Sequence, residues 1–77
     1  MEEDRAEESW ATNNDDEQRR LGARLREARE YVGLRQEHVA EALSIPRASV
    51  SALEAGKRRV TGLELRRLGR LYRRSVA

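Results

Sequence analysis

This sequence of 77 residues contains no cysteine, no phenylalanine, one proline and one histidine. Without cysteine it can form neither a disulfide framework nor a thiolate zinc site, and one histidine alone gives no metal-binding cluster. It also lacks a run of about 18 apolar residues that could span a membrane, and its acidic N-terminus does not resemble a signal peptide. We therefore expect a cytoplasmic protein without a cofactor.

The small size of the chain also argues against an enzyme. A domain of about 60 residues buries only about 60% of the surface of its unfolded chain, which leaves little room for an enclosed catalytic cavity. His38, with Glu37 and Glu41 nearby, is expected to lie on a helix surface, and no set of nucleophile, base and orienting group is visible. We predict that these residues form one small domain and no active site.

Charge is distributed unevenly along the chain. Residues 1–18 contain eight acidic residues against one arginine, a net charge of −7, whereas residues 19–77 have a net charge of +9. Residues 1–18 lack helical or strand periodicity and have few large apolar side chains besides Trp10, so we predict a disordered acidic tail. A small domain as basic as residues 19–77 attracts polyanions, although Arg-rich helices can also be merely well solvated.

Residues 19–77 are predicted to form a domain of short helices without strands. Apolar residues recur at helical spacing over residues 19–32, 36–43 and 46–54, and a further helix follows a T-x-x-E capping box at Thr61. Gly33 stands where a left-handed C-cap belongs, and Pro46 suits the start of the third helix. The residues expected to face the core are Leu21, Leu25, Ala28, Val32, Val39, Ala40, Leu43, Val50, Leu53, Leu65, Leu68 and Tyr72.

The third predicted helix has one apolar face and one face of short or basic side chains. Val50 and Leu53 define the apolar face, and the other face has no large apolar group and no acidic residue. The DNA major groove, about 12 Å wide, admits such a helix, and an arginine fork matches the O6 and N7 atoms of guanine. The residues predicted to contact bases are Pro46, Arg47, Ala48, Ser51 and Ala52.

Polar and basic residues around this helix are predicted to hold the DNA backbone. The start of the second helix offers unpaired N–H groups to a phosphate, and a basic loop follows the third helix. Phosphate contacts position the protein and make binding dependent on salt. The residues predicted to contact phosphates are Arg35, Gln36, Ser49, Lys57, Arg58 and Arg59. An acidic tail tethered to this basic face could also compete with DNA for it, or could simply be solvated.

Residues 36–57 resemble the helix-turn-helix of the phage-repressor and Cro-like (XRE) family. The matching pattern is Q-E-x-V-A-x-x-L-x-I-P-x-x-x-V-S-x-L-E-x-G-K, and the resemblance covers about residues 20–76. It implies a compact all-α, lambda-repressor-like domain of four or five helices that binds an operator in double-stranded DNA as a homodimer. It also implies that Arg29 and Glu54 form an ion pair that stabilises the fold.

Three features depart from the pattern of this family. Arg35 stands where the family usually has a short N-cap side chain, whose loss typically costs about 1 kcal/mol. Ser44 stands where the family favours glycine, so it carries strain if its φ is positive. Ala48 and Ala52 replace longer polar readers, which shifts part of the expected specificity to DNA shape or to a few arginine contacts.

The patch, the charge and the resemblance together predict a sequence-specific DNA-binding transcriptional regulator, acting as a repressor on two-fold operator half-sites. The family implies a fifth helix after residue 76, so we expect this chain to be the N-terminal part of a longer regulator with a C-terminal effector domain or a protein partner. The main alternative is a protein-interaction module of the antitoxin kind with secondary DNA binding. A DNA binder without sequence preference agrees with the charge but not with the short side chains of residues 46–54.

Overall fold

The computed structural model describes the backbone of residues 2–73 and the side chains of residues 15–73. The backbone of residues 2–73 forms helices joined by short turns, with no strand, so the predicted all-α class is confirmed. Within this part of the chain no helix is both long and apolar enough to cross a membrane. The helices are α1 (Glu2–Tyr31), α2 (Gln36–Leu43), α3 (Arg47–Glu54) and α4 (Gly62–Tyr72).

Helix α1 is longer than the sequence predicts. It includes residues 15–18, which were expected to belong to a disordered tail, and for these four residues the prediction is wrong. The rest of that prediction falls on residues 1–14, which lie outside the residues whose side chains are described. Acidic residues concentrate in the N-terminal half of α1 and arginines in its C-terminal half, an order that favours the helix dipole at both ends. An ion pair between Asp16 and Arg19, at 2.6 Å, supports the helix where the two halves meet.

The turns on either side of α2 contain residues in the left-handed conformation. Gly33, with φ 76°, ends α1 as predicted. Ser44, with φ 57°, ends α2, and the N–H of Ile45 donates to the carbonyl of Ala40 at 3.0 Å. Because serine has a Cβ atom, this backbone conformation costs about 1–2 kcal/mol. The strain expected at Ser44 is therefore present.

Helices α3 and α4 begin at caps that the sequence indicates. Pro46, with φ −63°, is the N-cap of α3, one residue before the helix itself. The hydroxyl of Thr61 accepts from the N–H of Glu64 at 3.1 Å, and the carboxylate of Glu64 accepts from the N–H of Thr61 at 3.0 Å. The predicted capping box is therefore confirmed.

The core lies where α3 and α4 each pack on both α1 and α2. Val32, which was expected to face the core, instead lies just past the end of α1 and is exposed, and its neighbour Tyr31 is 81% exposed. Leu21 and Leu65 are half-buried at the edge of the core. The buried apolar residues are Leu25, Ala28, Val39, Ala40, Leu43, Val50, Leu53, Leu68 and Tyr72.

The middle of α1, at residues 18–22, crosses the end of α3 at very short distance. A Cβ atom at Gly22 would lie 2.5 Å from the carbonyl oxygen of Leu53, so a larger residue does not fit there. A Cβ atom at Gly56, whose φ is 74°, would lie 2.6 Å from the Cα of Arg19. Gln18 donates from Nε2 to the carbonyl of Gly56 at 3.0 Å. These contacts fix the end of α3 against α1.

Candidate nucleic-acid interface

The solvent-facing side of α3 carries most of the residues predicted to contact bases. Val50 and Leu53, each 2% exposed, anchor the other side of the helix in the core. Ala52 is half-buried and therefore contributes less surface than the sequence suggests, and Ser49 is half-buried at the flank. The predicted base-contacting residues that are exposed are Pro46, Arg47, Ala48 and Ser51.

Arg47 is paired with a carboxylate from the preceding helix. Its Nε atom lies 3.4 Å from Oε1 of Glu37, the second residue of α2. The two side chains are 67% and 59% exposed, and exposed ion pairs contribute only about 0–1 kcal/mol. Arg47 can therefore exchange Glu37 for another acceptor at small cost. The sequence gives no signal for this pair, because its members lie on different helices with a turn between them.

Behind this surface, one carboxylate connects three helices. Glu54, the last residue of α3, accepts from Nε and Nη2 of Arg29 in α1, at 2.7 and 3.1 Å. It also accepts from Nε2 of Gln36, the first residue of α2, at 3.0 Å. The side chains of Arg29 and Glu54 are only 11% and 6% exposed, and removal of one partner from a buried pair typically costs about 3–5 kcal/mol. The hydrogen bond to Glu54 raises the pKa of Arg29 and so favours its charged guanidinium.

Arg29 and Glu54 are the two residues that the family resemblance implies form an ion pair. Gln36 joins them, although the sequence predicts it as a phosphate contact. Its amide has two N–H groups, of which Glu54 accepts one, so a single side-chain donor remains for a phosphate.

The start of α2 is capped in an unusual way. Arg35 is the N-cap residue, is exposed, and has no side-chain acceptor for the first turn. Nδ1 of His38 instead accepts from the N–H of Arg35 at 3.0 Å. His38 thus takes the place that a glutamate or glutamine has in a capping box, and it recovers half of that motif. The guanidinium of Arg35 is left for contacts outside the helix.

The three basic residues after α3 have different surroundings. Lys57 and Arg59 are exposed, and Arg59 borders a groove beside Glu17 of α1. Arg58 donates to both carboxylate oxygens of Glu64, at 3.0 and 2.9 Å, and to the carbonyl of Arg59 at 3.3 Å. Three of its five N–H donors are therefore engaged. The hydrogen bonds from Arg58 also lower the pKa of Glu64, which keeps the capping carboxylate ionised.

A model of the helix-turn-helix domain family matches residues 20–77, about three quarters of the chain. The chain belongs to this helix-turn-helix family. Comparison with curated proteins and with solved structures finds no match. In this helix-turn-helix domain α2 and α3 are the paired helices, and the strained residue Ser44 lies in the turn between them. The match confirms the resemblance carried by residues 36–57, which lie wholly inside it.

Proposed function

We propose that this helix-turn-helix domain is the DNA-binding part of a sequence-specific transcriptional regulator of the XRE type, acting as a repressor in the cytoplasm. The observation that carries the proposal is the outer side of α3, where an exposed Arg47 stands among short side chains. Short side chains let the helix axis approach the floor of the major groove, and an arginine can then reach base edges. The proposal assigns the chain a binding role without catalysis.

Each exposed residue has a specific role in this proposal. Arg47 is the main reader, through a bidentate contact to guanine worth about 1–3 kcal/mol of discrimination. Ser51 and the methyl group of Ala48 supply shorter contacts to neighbouring bases. Lys57 and Arg35 hold phosphates, with the remaining amide N–H of Gln36.

Arg58 has a different role from the one that the sequence suggests. Because Glu64 and the carbonyl of Arg59 engage most of its donors, we assign it to fixing the loop that carries Lys57. The ion pair with Glu64 also ties this loop to the start of α4. In this proposal a direct phosphate contact from Arg58 is secondary.

We further propose that two copies bind two operator half-sites. A single α3 of eight residues reaches few base pairs, so recognition by one domain is weak. Two copies on half-sites about 34–36 Å apart place both recognition helices on one face of the duplex. A further effector domain or protein partner would then control the regulator.

The test begins with selection of a preferred duplex from a random pool, followed by binding measurements on that duplex and on unrelated DNA. Arg47→Ala should weaken the preferred duplex by about 10- to 100-fold and unrelated DNA far less. Lys57→Ala should weaken both alike and lower the salt slope by about 1. Arg26→Ala is a matched control, since its exposed side chain forms an ion pair with Glu30 and with no other residue among 15–73. Equal losses on both duplexes for Arg47→Ala would remove Arg47 from the readers.

NMR titration provides an independent test of the docking surface. The backbone amides of residues 46–52 should shift on addition of the preferred duplex. If they stay unmoved while other regions respond, α3 is not the recognition helix and the proposal is wrong. Weak DNA binding that is insensitive to salt would instead favour the protein-interaction module.

A further inference from the structure

Helix α4 presents a row of arginines on the side facing away from the core. Leu68 and Tyr72 bury the inner side of the helix, and Leu63, 55% exposed, lies on the outer side. None of the arginines in the row forms an ion pair with another residue among 15–73. The row consists of the exposed residues Arg66, Arg67, Arg70 and Arg73.

A groove between α2 and α4 borders this row. Its floor includes Leu43, which is 5% exposed, and no acidic residue of the part whose side chains are described lines it. A second groove, between α1 and α4, has Glu17 among its arginines and is therefore less positive. The α2–α4 groove is lined by Ala42, Leu43, Arg67, Arg70 and Leu71.

The lining of the α2–α4 groove indicates the chemistry of its occupant. Two arginines beside leucine side chains fit a segment that offers carboxylates together with a large apolar group. A nucleic-acid backbone would satisfy the arginines but would leave the apolar surface of Leu71 without a partner. The groove therefore suits an acidic peptide segment better than DNA.

The N-terminal segment of this chain has this composition. Residues 1–17 contain eight acidic residues, one arginine and the only tryptophan of the chain, Trp10. Glu3 and Glu7 precede Trp10 by seven and three residues, which is the spacing of one helical stripe. The segment thus supplies both the carboxylates and the large apolar side chain that would complement the arginines and leucines of the groove.

Residues 2–17 of this segment belong to α1, and this limits which copy's groove the segment can reach. Gln18 is held against Gly56, and residues 2–17 continue the same helix for about 24 Å along its axis. Gln18, where the segment joins the domain, contacts Gly56 after α3 and does not line the α2–α4 groove, and a continuous helix has no turn with which to fold back onto that groove. The segment can reach the groove of another molecule without breaking α1.

We propose that the α2–α4 groove of one copy binds the acidic segment, residues 1–17, of a second copy, with Arg67 and Arg70 on its carboxylates and Trp10 on its apolar floor. Two copies that exchange their segments form a closed two-fold pair. Because the groove lies on α2 and α4, the outer side of α3 stays uncovered in the pair. The association does not depend on the proposed DNA binding.

The single tryptophan gives a direct test with the full chain. As concentration rises, sedimentation should show a shift from one copy to two, and Trp10 emission should move to shorter wavelength over the same range. Both changes should reverse at high salt. Arg70→Glu should abolish both, whereas Arg26→Glu, the same charge change on α1 outside the groove, should leave them intact. Far-UV circular dichroism checks that both variants remain folded.

A charge swap tests the pairing itself. Glu7→Lys should also abolish association, and mixing it with Arg70→Glu should restore a pair of two copies. A chain that stays single at all concentrations, or that associates equally well with Arg70→Glu, would overturn the proposal. So would an Arg70→Glu variant that associates normally and loses affinity for unrelated DNA, because the groove would then be a DNA-binding surface.

Discussion

Arg47 and Glu37 face each other across the turn between α2 and α3, with 3.4 Å between Nε and Oε1. In the proposed complex Arg47 exchanges this carboxylate for a base, and Glu37 remains close to the DNA with its negative charge. Where the DNA offers Arg47 no good acceptor, the exchange is unfavourable and the repulsion between Glu37 and phosphate is uncompensated. Glu37 is therefore expected to lower overall affinity and to increase discrimination between sequences.

Replacing Glu37 by Gln tests this relationship. Binding to unrelated DNA should become tighter by about 3- to 10-fold at low salt, a modest change because the exposed ion pair is weak. The gain on the preferred duplex should be smaller, because there the contact of Arg47 with a base already compensates the repulsion between Glu37 and phosphate. Fluorescence anisotropy on both duplexes measures the two affinities. Glu41→Gln is the control, since Glu41 lies on the same helix and forms no ion pair with a residue among 15–73. Equal gains in affinity from both variants would mean that the effect comes from the net charge of the protein and not from the position of Glu37.

The backbone strain at Ser44 predicts a stabilising substitution. Ser44→Gly should raise the free energy of unfolding by about 1 kcal/mol, because glycine adopts φ 57° without the clash of a Cβ atom. Urea denaturation measures the change. Ser51→Gly, in the middle of α3, is the opposite control and should lower the free energy of unfolding by about 0.5 kcal/mol. A loss of stability in Ser44→Gly would show that the turn is not strained.

The close crossing of α1 and α3 predicts a destabilising substitution. Gly22→Ala should lower the free energy of unfolding by about 1–3 kcal/mol, although alanine favours helix, because its Cβ would lie 2.5 Å from the Leu53 carbonyl oxygen. Gly62→Ala is the matched control, since nothing lies within 4 Å of a Cβ at that position. Thermal melts of the two variants give the comparison, and similar melting temperatures would argue against the short contact.

Burial of Tyr72 predicts loss of stability in alkali. Burial, and then the charge of Glu54, raise the pKa of Tyr72 from 10.0 to about 12. Folding therefore favours the neutral phenol, so this stabilisation is complete below pH 10 and is lost as the pH rises towards 12. In a Tyr31→Phe background Tyr72 is the single tyrosine, and tyrosinate absorbance should rise together with unfolding. Ionisation of Tyr72 near pH 10 in the folded protein would contradict its burial.

Local sequence patterns were sufficient where a helix buries one face or ends in a recognisable cap. The bounds of α2 and the capping box at Thr61 follow from the spacing of a few residues, and the structure has them as predicted. The N-terminal half of α1 has no apolar stripe, so periodicity could not reveal that residues 15–18 are helical. There the sequence offers only the order of acidic and basic residues along the helix, which is a weaker signal.

The sequence was sufficient to predict which side of α3 is exposed, but not which residues pair with the arginines of the candidate interface. The apolar positions Val50 and Leu53 indicate which side of α3 is exposed, and the structure agrees. The ion pair of Arg58 with Glu64 joins a loop to the next helix, and a chain with 16 basic and 14 acidic residues offers many such combinations. Choosing among them requires the relative position of the helices, which no local pattern contains.

The hydrogen bonds of Glu54 have a consequence for how DNA would be recognised. Because one carboxylate is bonded to side chains of both α1 and α2, the angle of α3 cannot adjust to a duplex without breaking buried bonds. Any change of shape needed for a close fit must then come from the DNA duplex. Base sequences that bend or narrow their grooves at low energy would bind better than stiff ones, even at base pairs that no side chain touches.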